Sequence, residues 1–282
     1  MSDQKTINKE AFNDKVVWVT GASSGIGEGI VRAFAQCGAK LVLSSRNTQE
    51  LNRVRDECIA QGASEDNLMV LPLDVVDFDS MPEVVAKVLE QYSRIDVLIN
   101  NAGLGARSFC VDTTLDVYRN LFDVNVMGPI ALTKCVLPTM IEQGSGLIVA
   151  TSSVAGKVGI PLRTGYSMVK HGVMGFFDAL RAEVAHHGIK VTVAVPGLVK
   201  TNVVANALNG DGSTIGAEEG VMEDGISIDE AGAIILDQLA NGLDEFEVGS
   251  GEEVGMIHMK SKDPVAVFRA LEGMAEQLYD NK

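Results

Sequence analysis

Val16-Val17-Trp18-Val19-Thr20-Gly21-Ala22-Ser23-Ser24-Gly25-Ile26-Gly27 is the stretch that decides the fold. A short apolar run, 16–19, closes directly on a glycine-rich turn, and residues 27–36 follow with helical spacing. Glycines at these places allow a tight turn and a close approach of backbone to a pyrophosphate at a helix N-terminus. The spacing is Gly-x-x-x-Gly-x-Gly rather than the commoner Gly-x-Gly-x-x-Gly. Alone, such a turn could be no more than a sharp strand-to-helix connection. Its place, ending the first strand and opening a helix, favours the nucleotide reading.

Outward from this unit the pattern repeats. Apolar runs at 40–43, 68–73, 95–99, 146–150 and 190–195 read as buried strands, and 48–60, 82–91 and 114–142 carry helical spacing. Near-continuous apolar strands separated by helices imply a parallel sheet covered on both faces. The fold class is therefore α/β: a doubly wound, Rossmann-type parallel sheet with helices on both faces. The 282 residues suit one domain of this kind, 1–282, with a core over about 14–203 and a C-terminal extension over about 245–282. Residues 205–230, rich in Gly, Ala, Asn, Asp and Glu, read as a mobile excursion, and about 202–228 as a substrate lid. Beyond it the expectations are a helix at 229–239, strands at 246–248 and 254–258, and a helix at 264–278. Pro264 suits a first helical turn.

Hydrophobic residues make up 46% and charged residues 22% of the chain, as in soluble globular proteins. The net charge of −15, from 23 basic and 38 acidic side chains, argues against nucleic acid or an anionic membrane as partner. It leaves room for a local basic pocket. The first ten residues are polar, and no apolar run approaches the roughly 18 residues of a bilayer span, so no membrane anchor is expected. Cys37, Cys58, Cys110 and Cys135 are scattered, without metal-type spacing, which points to a reduced, cytoplasmic protein. His171, His186, His187 and His258 form no ligand set, and Glu218, Glu219, Glu223 and Asp224 read as a solvated loop; no metal is expected.

Tyr166 and Lys170 stand four residues apart in a helical pattern, with Ser153 thirteen residues upstream of the tyrosine. Positions i and i+4 share a helix face, so phenol and ammonium can address one small volume. A cation beside a phenol lowers its pKa from about 10 toward neutrality. Such a tyrosine can exchange a proton with a carbonyl or alcohol oxygen, while a serine hydroxyl steadies that oxygen. Alone, Tyr-x-x-x-Lys also describes a helix with the tyrosine packed and the lysine in water. The rest of the chain changes that balance.

With these elements in order, residues 14–203 resemble the short-chain dehydrogenase/reductase family, in its branch with a single Rossmann domain. The resemblance implies roles for matching positions. Within 20–27, Gly21, Ser23, Ser24, Gly25, Ile26 and Gly27 would bind the cofactor phosphates. Ser45, Arg46 and Asn47 would meet the adenosine ribose, and Asp74 and Val75 the adenine. Asn101, Ala102 and Gly103, after Asn100, would line the cofactor cleft. Asn125 would anchor a water at a helix kink and complete a proton relay; by itself it also reads as a polar residue tied to backbone. Ser153, Tyr166 and Lys170 would be the chemical centre, the last two also touching cofactor. Ser152 competes for the serine role, and the spacing to the tyrosine in relatives favours Ser153. Pro196, Gly197, Val199 and Thr201 would hold the nicotinamide carboxamide.

NAD-binding Rossmann domains place an acid at the end of the second strand. Residues 41–47 carry none there and offer Arg46, whose guanidinium matches a 2′-phosphate in charge and geometry, although a solvated arginine would look the same. A second basic residue inside the glycine turn, seen in some NADP-preferring relatives, is replaced by Ser23-Ser24. NADP(H) is the expected cofactor, with NAD(H) the weaker alternative. The expected function is interconversion of a carbonyl and an alcohol by hydride transfer, with Tyr166 as general acid/base. Two other readings stay open: an NADP(H)-binding redox sensor without turnover, and a reductase of ketoacyl chains on a carrier protein, which the −15 charge makes harder.

The pocket would draw on 104–111, 154–163 and 202–221, mostly small or apolar, with Phe109 and Leu162 bulky and Arg163 a cation. An apolar carbonyl compound is the expected substrate. The C-terminal region departs from the Asp-Gly-Gly strand of tetrameric relatives, so a homodimer is expected and a homotetramer stays open.

Overall fold

Alternate residues of the first strand serve opposite cores: Val17 and Val19 pack on one face of the sheet, Val16 and Trp18 on the other. That is why the strand is apolar without interruption. The computed structural model describes residues 9–216 and 225–280. Its strands are β1 (Val16–Thr20), β2 (Lys40–Ser44), β3 (Leu68–Val70), β4 (Val97–Asn100), β5 (Gly146–Thr151), β6 (Ile189–Pro196) and β7 (Glu245–Val248). Among the described residues they form one parallel sheet in the order β3-β2-β1-β4-β5-β6-β7. The order reverses between β1 and β4, so a crevice opens at their carboxyl ends, where α/β sheets bind ligands.

The α-helices are α1 (Gly25–Ala35), α2 (Thr48–Ala60), α3 (Met81–Tyr92), α4 (Leu115–Phe122), α5 (Gly128–Gln143), α6 (Thr164–Val184), α7 (Ile228–Ala240), α8 (Glu252–Lys262) and α9 (Pro264–Asp280). The first core lies between the sheet and α1, α2 and α7, and the second between the sheet and α3, α5 and α6. Helices α1 and α7 touch backbone to backbone. A Cβ at Gly29 would collide with the carbonyl of Ile228, and one at Gly232 with the carbonyl of Gly29.

The expected helix 114–142 is present as α4 and α5, joined by a π turn over Asp123–Met127 into one helical run. Pro129 explains the interruption, because it offers no N–H to the carbonyl of residue 125, four positions back. By length and composition this 29-residue helix, Leu115–Gln143, is apolar enough to cross a membrane, which corrects the expectation that no segment approaches that threshold. Its apolar residues Leu132, Val136 and Met140 pack in the second core.

The expected strand at 254–258 is the helix α8 instead. Glu252 and Glu253 stand in its first turn and Lys260 and Lys262 in its last, charges that suit the helix dipole. Val254 and Ile257, three apart, turn inward. Strand β3 stops at Val70, although Leu71 and Leu73 still donate to the carbonyls of Leu43 and Ser45. The described part of the expected mobile excursion is tied down: the Leu208 N–H donates to the Gly105 carbonyl at 2.9 Å, and Arg107 N–H to the Leu208 carbonyl at 2.9 Å. Glu218, Glu219, Glu223 and Asp224 lie outside the described residues.

Candidate active site

The glycine turn forms as a left-handed bend at both ends, with Gly21 at φ 68° and Gly25 at φ 60°. A Cβ at Gly27 would collide with the Gly21 carbonyl, and one at Gly21 would lie 2.9 Å from Ala102 Cα. Backbone occupies the space that side chains would fill, so only glycine is compatible with this cradle. Ser24 precedes the first turn of α1 in extended conformation, and the free N–H groups of that turn open into the crevice. Thr20 joins the turn to the segment after β4. Its Oγ1 accepts from the N–H groups of Asn101 and Ala102, both at 3.1 Å, and the Asn101 amide donates back to the Thr20 carbonyl at 3.1 Å. Thr201, arriving from beyond β6, brings its methyl 3.2 Å from where a Gly25 Cβ would be. Ile26 packs on the first core beneath the turn. The cradle fits a dinucleotide pyrophosphate.

At the end of β2, Ser45 Oγ accepts from Asn47 N–H at 3.2 Å, and Asn47 Oδ1 caps α2 by accepting from Glu50 N–H at 3.2 Å. Arg46 between them is exposed and lines a groove of about 380 Å³ with Asp74, Asp77 and Lys87. Asp74 Oδ1 accepts from Val76 N–H at 3.2 Å, and Val75 lies against Gly128 at the start of α5. Arg53 carries no signal in the sequence. It gathers Glu28, Glu50 and Glu57 and reaches the Ser23 carbonyl at 3.4 Å, bracing the glycine turn from α2. Those carboxylates hold its guanidinium above its ordinary range.

Ser153, Tyr166, Lys170 and Asn125 come together beside the carboxyl end of β5. Ser153 Oγ accepts from Ala155 N–H at 3.2 Å and lies close enough to the buried Tyr166 hydroxyl to act against the rise of its pKa. Ser152 is turned away, its buried hydroxyl donating to the Lys170 carbonyl at 3.0 Å. The Lys170 ammonium donates to the Thr151 carbonyl at 2.9 Å and lies 5.6 Å from the Tyr166 ring centroid. Asn125 Nδ2 donates to the carbonyls of Leu104 and Leu121, both at 2.9 Å, which ties the π turn to the loop after β4. A Cβ at Gly103 would lie 3.0 Å from Asn125 Oδ1 and 3.5 Å from Lys170 Nζ. A side chain at 103 would therefore crowd both groups.

Burial pushes the Tyr166 phenol above its ordinary range, opposed by the Ser153 hydrogen bond and by the field of Arg163. Burial also lowers the Lys170 ammonium to about 8. The sequence expectation of a phenol drawn toward neutrality is thus corrected: desolvation outweighs the opposing effects of Ser153 and Arg163 at the oxygen. The Thr151 hydroxyl is buried without a partner among the described residues.

On the far side, Pro196 ends β6 and Gly197 N–H donates to the Val248 carbonyl at 3.0 Å. Val199 is buried, and Thr201 Oγ1 accepts from Val203 N–H at 3.3 Å. Glu253 of α8 accepts the Leu198 N–H at 2.9 Å, so the C-terminal extension fixes the turn assigned to the nicotinamide. At the opposite end of the extension, Tyr279 stacks on Phe109 with ring centroids 4.0 Å apart. Neither contact is visible from local sequence.

Known proteins match this arrangement. The family model described as short chain dehydrogenase matches residues 15–211. The human protein named dehydrogenase/reductase SDR family member 7 is 43% identical over 236 residues, 83% of this chain and 70% of its own. The structure of a short-chain dehydrogenase from Streptomyces avermitilis superposes with a TM-score of 0.77 at 31% identity, covering 94% of this chain and 98% of its own. A metagenomic short-chain oxidoreductase, solved in complex with NADP, gives a TM-score of 0.70 at 27% identity over 84% of this chain and 98% of its own. With its glycine cradle, its parallel sheet and these matches, the chain belongs to the short-chain dehydrogenase/reductase family of oxidoreductases.

Proposed function

We infer that the protein is an NADP(H)-dependent oxidoreductase that interconverts a carbonyl and an alcohol, with Tyr166 as general acid and base. The observation that carries this reading is the convergence of the Ser153 and Tyr166 hydroxyls beside the buried Lys170, at the end of a crevice whose floor is the glycine cradle. The cofactor, when bound, supplies or accepts the hydride. Gly21 to Gly27 would hold its phosphates, Asp74 its adenine side, and the turn from Pro196 to Thr201 its carboxamide side.

In the reductive direction the Tyr166 phenol gives its proton to the substrate oxygen, and Ser153 donates a hydrogen bond to the same oxygen. A phenol above its ordinary range reaches this step protonated at neutral pH. Lys170, over the ring, and Arg163 stabilise the phenolate that remains. Asn125 completes the relay. Its carbonyl lacks its α-helical donor because of Pro129 and is available to a water that returns the proton.

The preference for NADP over NAD rests on Arg46, exposed at the end of β2 where no acid stands. Similar structures include one in complex with NADP and one in complex with NAD, so the preference is carried by Arg46 alone. The substrate body is apolar, in keeping with the mostly small and apolar residues of 104–106 and 154–162 that follow β4 and β5. The reading also includes a cytoplasmic location, consistent with four free cysteines, and a homodimer that covers exposed Leu115, Phe122 and Ile141.

The test is NADPH oxidation against aldehydes, ketones and quinones, with wild type and Tyr166→Phe side by side and NADH as control. Loss of the hydroxyl is expected to lower turnover by at least ~100-fold. Near wild-type turnover in the variant would reject the mechanism. Tight NADPH binding with no turnover on any carbonyl would favour the sensor reading.

A further inference from the structure

The C-terminal extension touches in turn the segments that follow three adjacent strands, β6, β5 and β4, at their carboxyl ends. After β6, Glu253 of α8 accepts the Leu198 N–H at 2.9 Å, and its carboxylate lies so close to the turn that a Cβ at Gly197 would be 2.5 Å from its oxygen. After β5, the Lys260 ammonium donates to the Lys157 carbonyl at 2.6 Å, four residues beyond Ser153. After β4, Tyr279 of α9 stacks on Phe109, with centroids 4.0 Å apart and planes inclined at 25°.

These same segments carry the turn assigned to the nicotinamide, Ser153, and the loop beside the tyrosine helix. That last relation is fixed by the Ser108 N–H, which donates at 2.8 Å to the carbonyl of Leu162, four residues before Tyr166. Phe109 follows directly and is half-buried. The extension therefore ties the cofactor side of the crevice to its substrate side.

Its two helices are held differently. In α8 both contacts are charge-assisted hydrogen bonds, Val254 is buried and Ile257 packs on the second core. In α9 the buried residue is Val267, in the first turn, while Tyr279 stands at the far end and is 53% exposed. The stack with Phe109 secures that end of the helix, and in return it fixes the Phe109 ring. An aromatic pair of this kind adds to binding beyond the area it buries.

We propose that Phe109 and Tyr279 are a specificity-determining pair: the C-terminal extension, anchored at the nicotinamide turn, sets the position of the Phe109 ring, which bounds the apolar body of the substrate. Tyr279 acts through Phe109 and is a positioning residue. This rests on the carbonyl-reductase reading and names the part of the site that measures its substrate.

The test is NADPH-dependent reduction of the series from butan-2-one to decan-2-one. Wild-type kcat/KM should rise with chain length, because each buried methylene adds to binding. Tyr279→Ala should lower kcat/KM for the longest ketones by ~3- to 10-fold, the scale of one aromatic pair, through KM and with butan-2-one spared. Phe109→Ala should do the same, and the double variant should lose no more than the worse single one, since the two rings act as a unit. Tyr279→Phe, which keeps the ring, should retain the dependence on length. Calorimetric binding of the same ketones to NADPH-loaded Tyr166→Phe, with and without Tyr279→Ala, separates the two readings. Length-dependent binding that Tyr279→Ala weakens, without turnover by wild type, would uphold the pair and sink the reductase. A flat wild-type series, or a loss in Tyr279→Ala that is absent or equal at every length, would overturn the pair and leave the reductase standing. Neither binding nor turnover of any ketone would overturn both.

Discussion

The Lys170 ammonium lies over the ring of Tyr166, 5.6 Å from its centroid, yet its hydrogen bond goes to the Thr151 carbonyl at 2.9 Å. The charge therefore acts on the phenol through the ring rather than at the oxygen, and the lysine bears the cost of burial.

That cost is visible in stability against pH. The Lys170 pKa falls from 10.5 to about 8 on folding, so between these values the unfolded chain holds a proton that the folded chain has released. Stability then rises with pH, by up to about 1.4 kcal/mol per unit, and the full penalty applies below pH 8. Cys58, raised from 9.0 to about 11, acts in the opposite sense from pH 9 upward. Urea unfolding of wild type and Lys170→Met at pH 7, 8 and 9 should show the wild type gaining on the variant between 8 and 9. Parallel curves would mean that the lysine is not desolvated.

Asn125 pairs three backbone groups, the N–H and carbonyl of Leu104 after β4 and the carbonyl of Leu121 in α4. Asn125→Ala should cost at least about 2 kcal/mol, because buried carbonyls lose their donor. Asn125→Asp should cost more, since a carboxylate would face the Leu104 and Leu121 carbonyls. Denaturant midpoints give the ranking, and an aspartate variant more stable than the alanine one would contradict this geometry.

The contact between α1 and α7 leaves no room for a methyl group at Gly29. Gly29→Ala gains helix propensity but must push the helix backbones away from each other, so the net effect should be a loss of about 1–3 kcal/mol. Thermal unfolding at constant NADPH would check it; an unchanged or raised Tm would show that the helices can slide apart freely.

Arg46→Gln should weaken NADPH binding by ~10-fold or more while changing NADH by less than ~3-fold. Fluorescence titration of each dinucleotide measures the two separately. Equal losses would remove Arg46 from 2′-phosphate recognition.

The glycine turn, the alternating strands and helices, and the Ser153, Tyr166 and Lys170 set were legible because each is a local spacing that backbone geometry converts directly into a shared face or a bend. The five residues 254–258 misled because a run that short fits either period, and only the flanking Glu252, Glu253, Lys260 and Lys262 mark a helix. The Glu253 bond to Leu198 spans 55 residues and the Arg53 bond to Ser23 spans 30. No periodicity carries such pairs, which exist only once the sheet has set the distances. The phenol's position above its ordinary range was missed for a related reason: burial is a property of the assembled core, not of the Tyr-x-x-x-Lys spacing.

The backbone contact of Gly29 with Gly232 sets a schedule for synthesis. A nascent chain that has emerged as far as β6 already contains the glycine turn, Ser153, Tyr166 and Lys170, but α1 has one flank bare because α7 is still unmade. Since translation proceeds from the N-terminus, the nucleotide crevice is translated early and braced late. Until α7 has been made, through residue 240, Ile30, Val31 and Phe34 lack the cover that it gives them in the finished core.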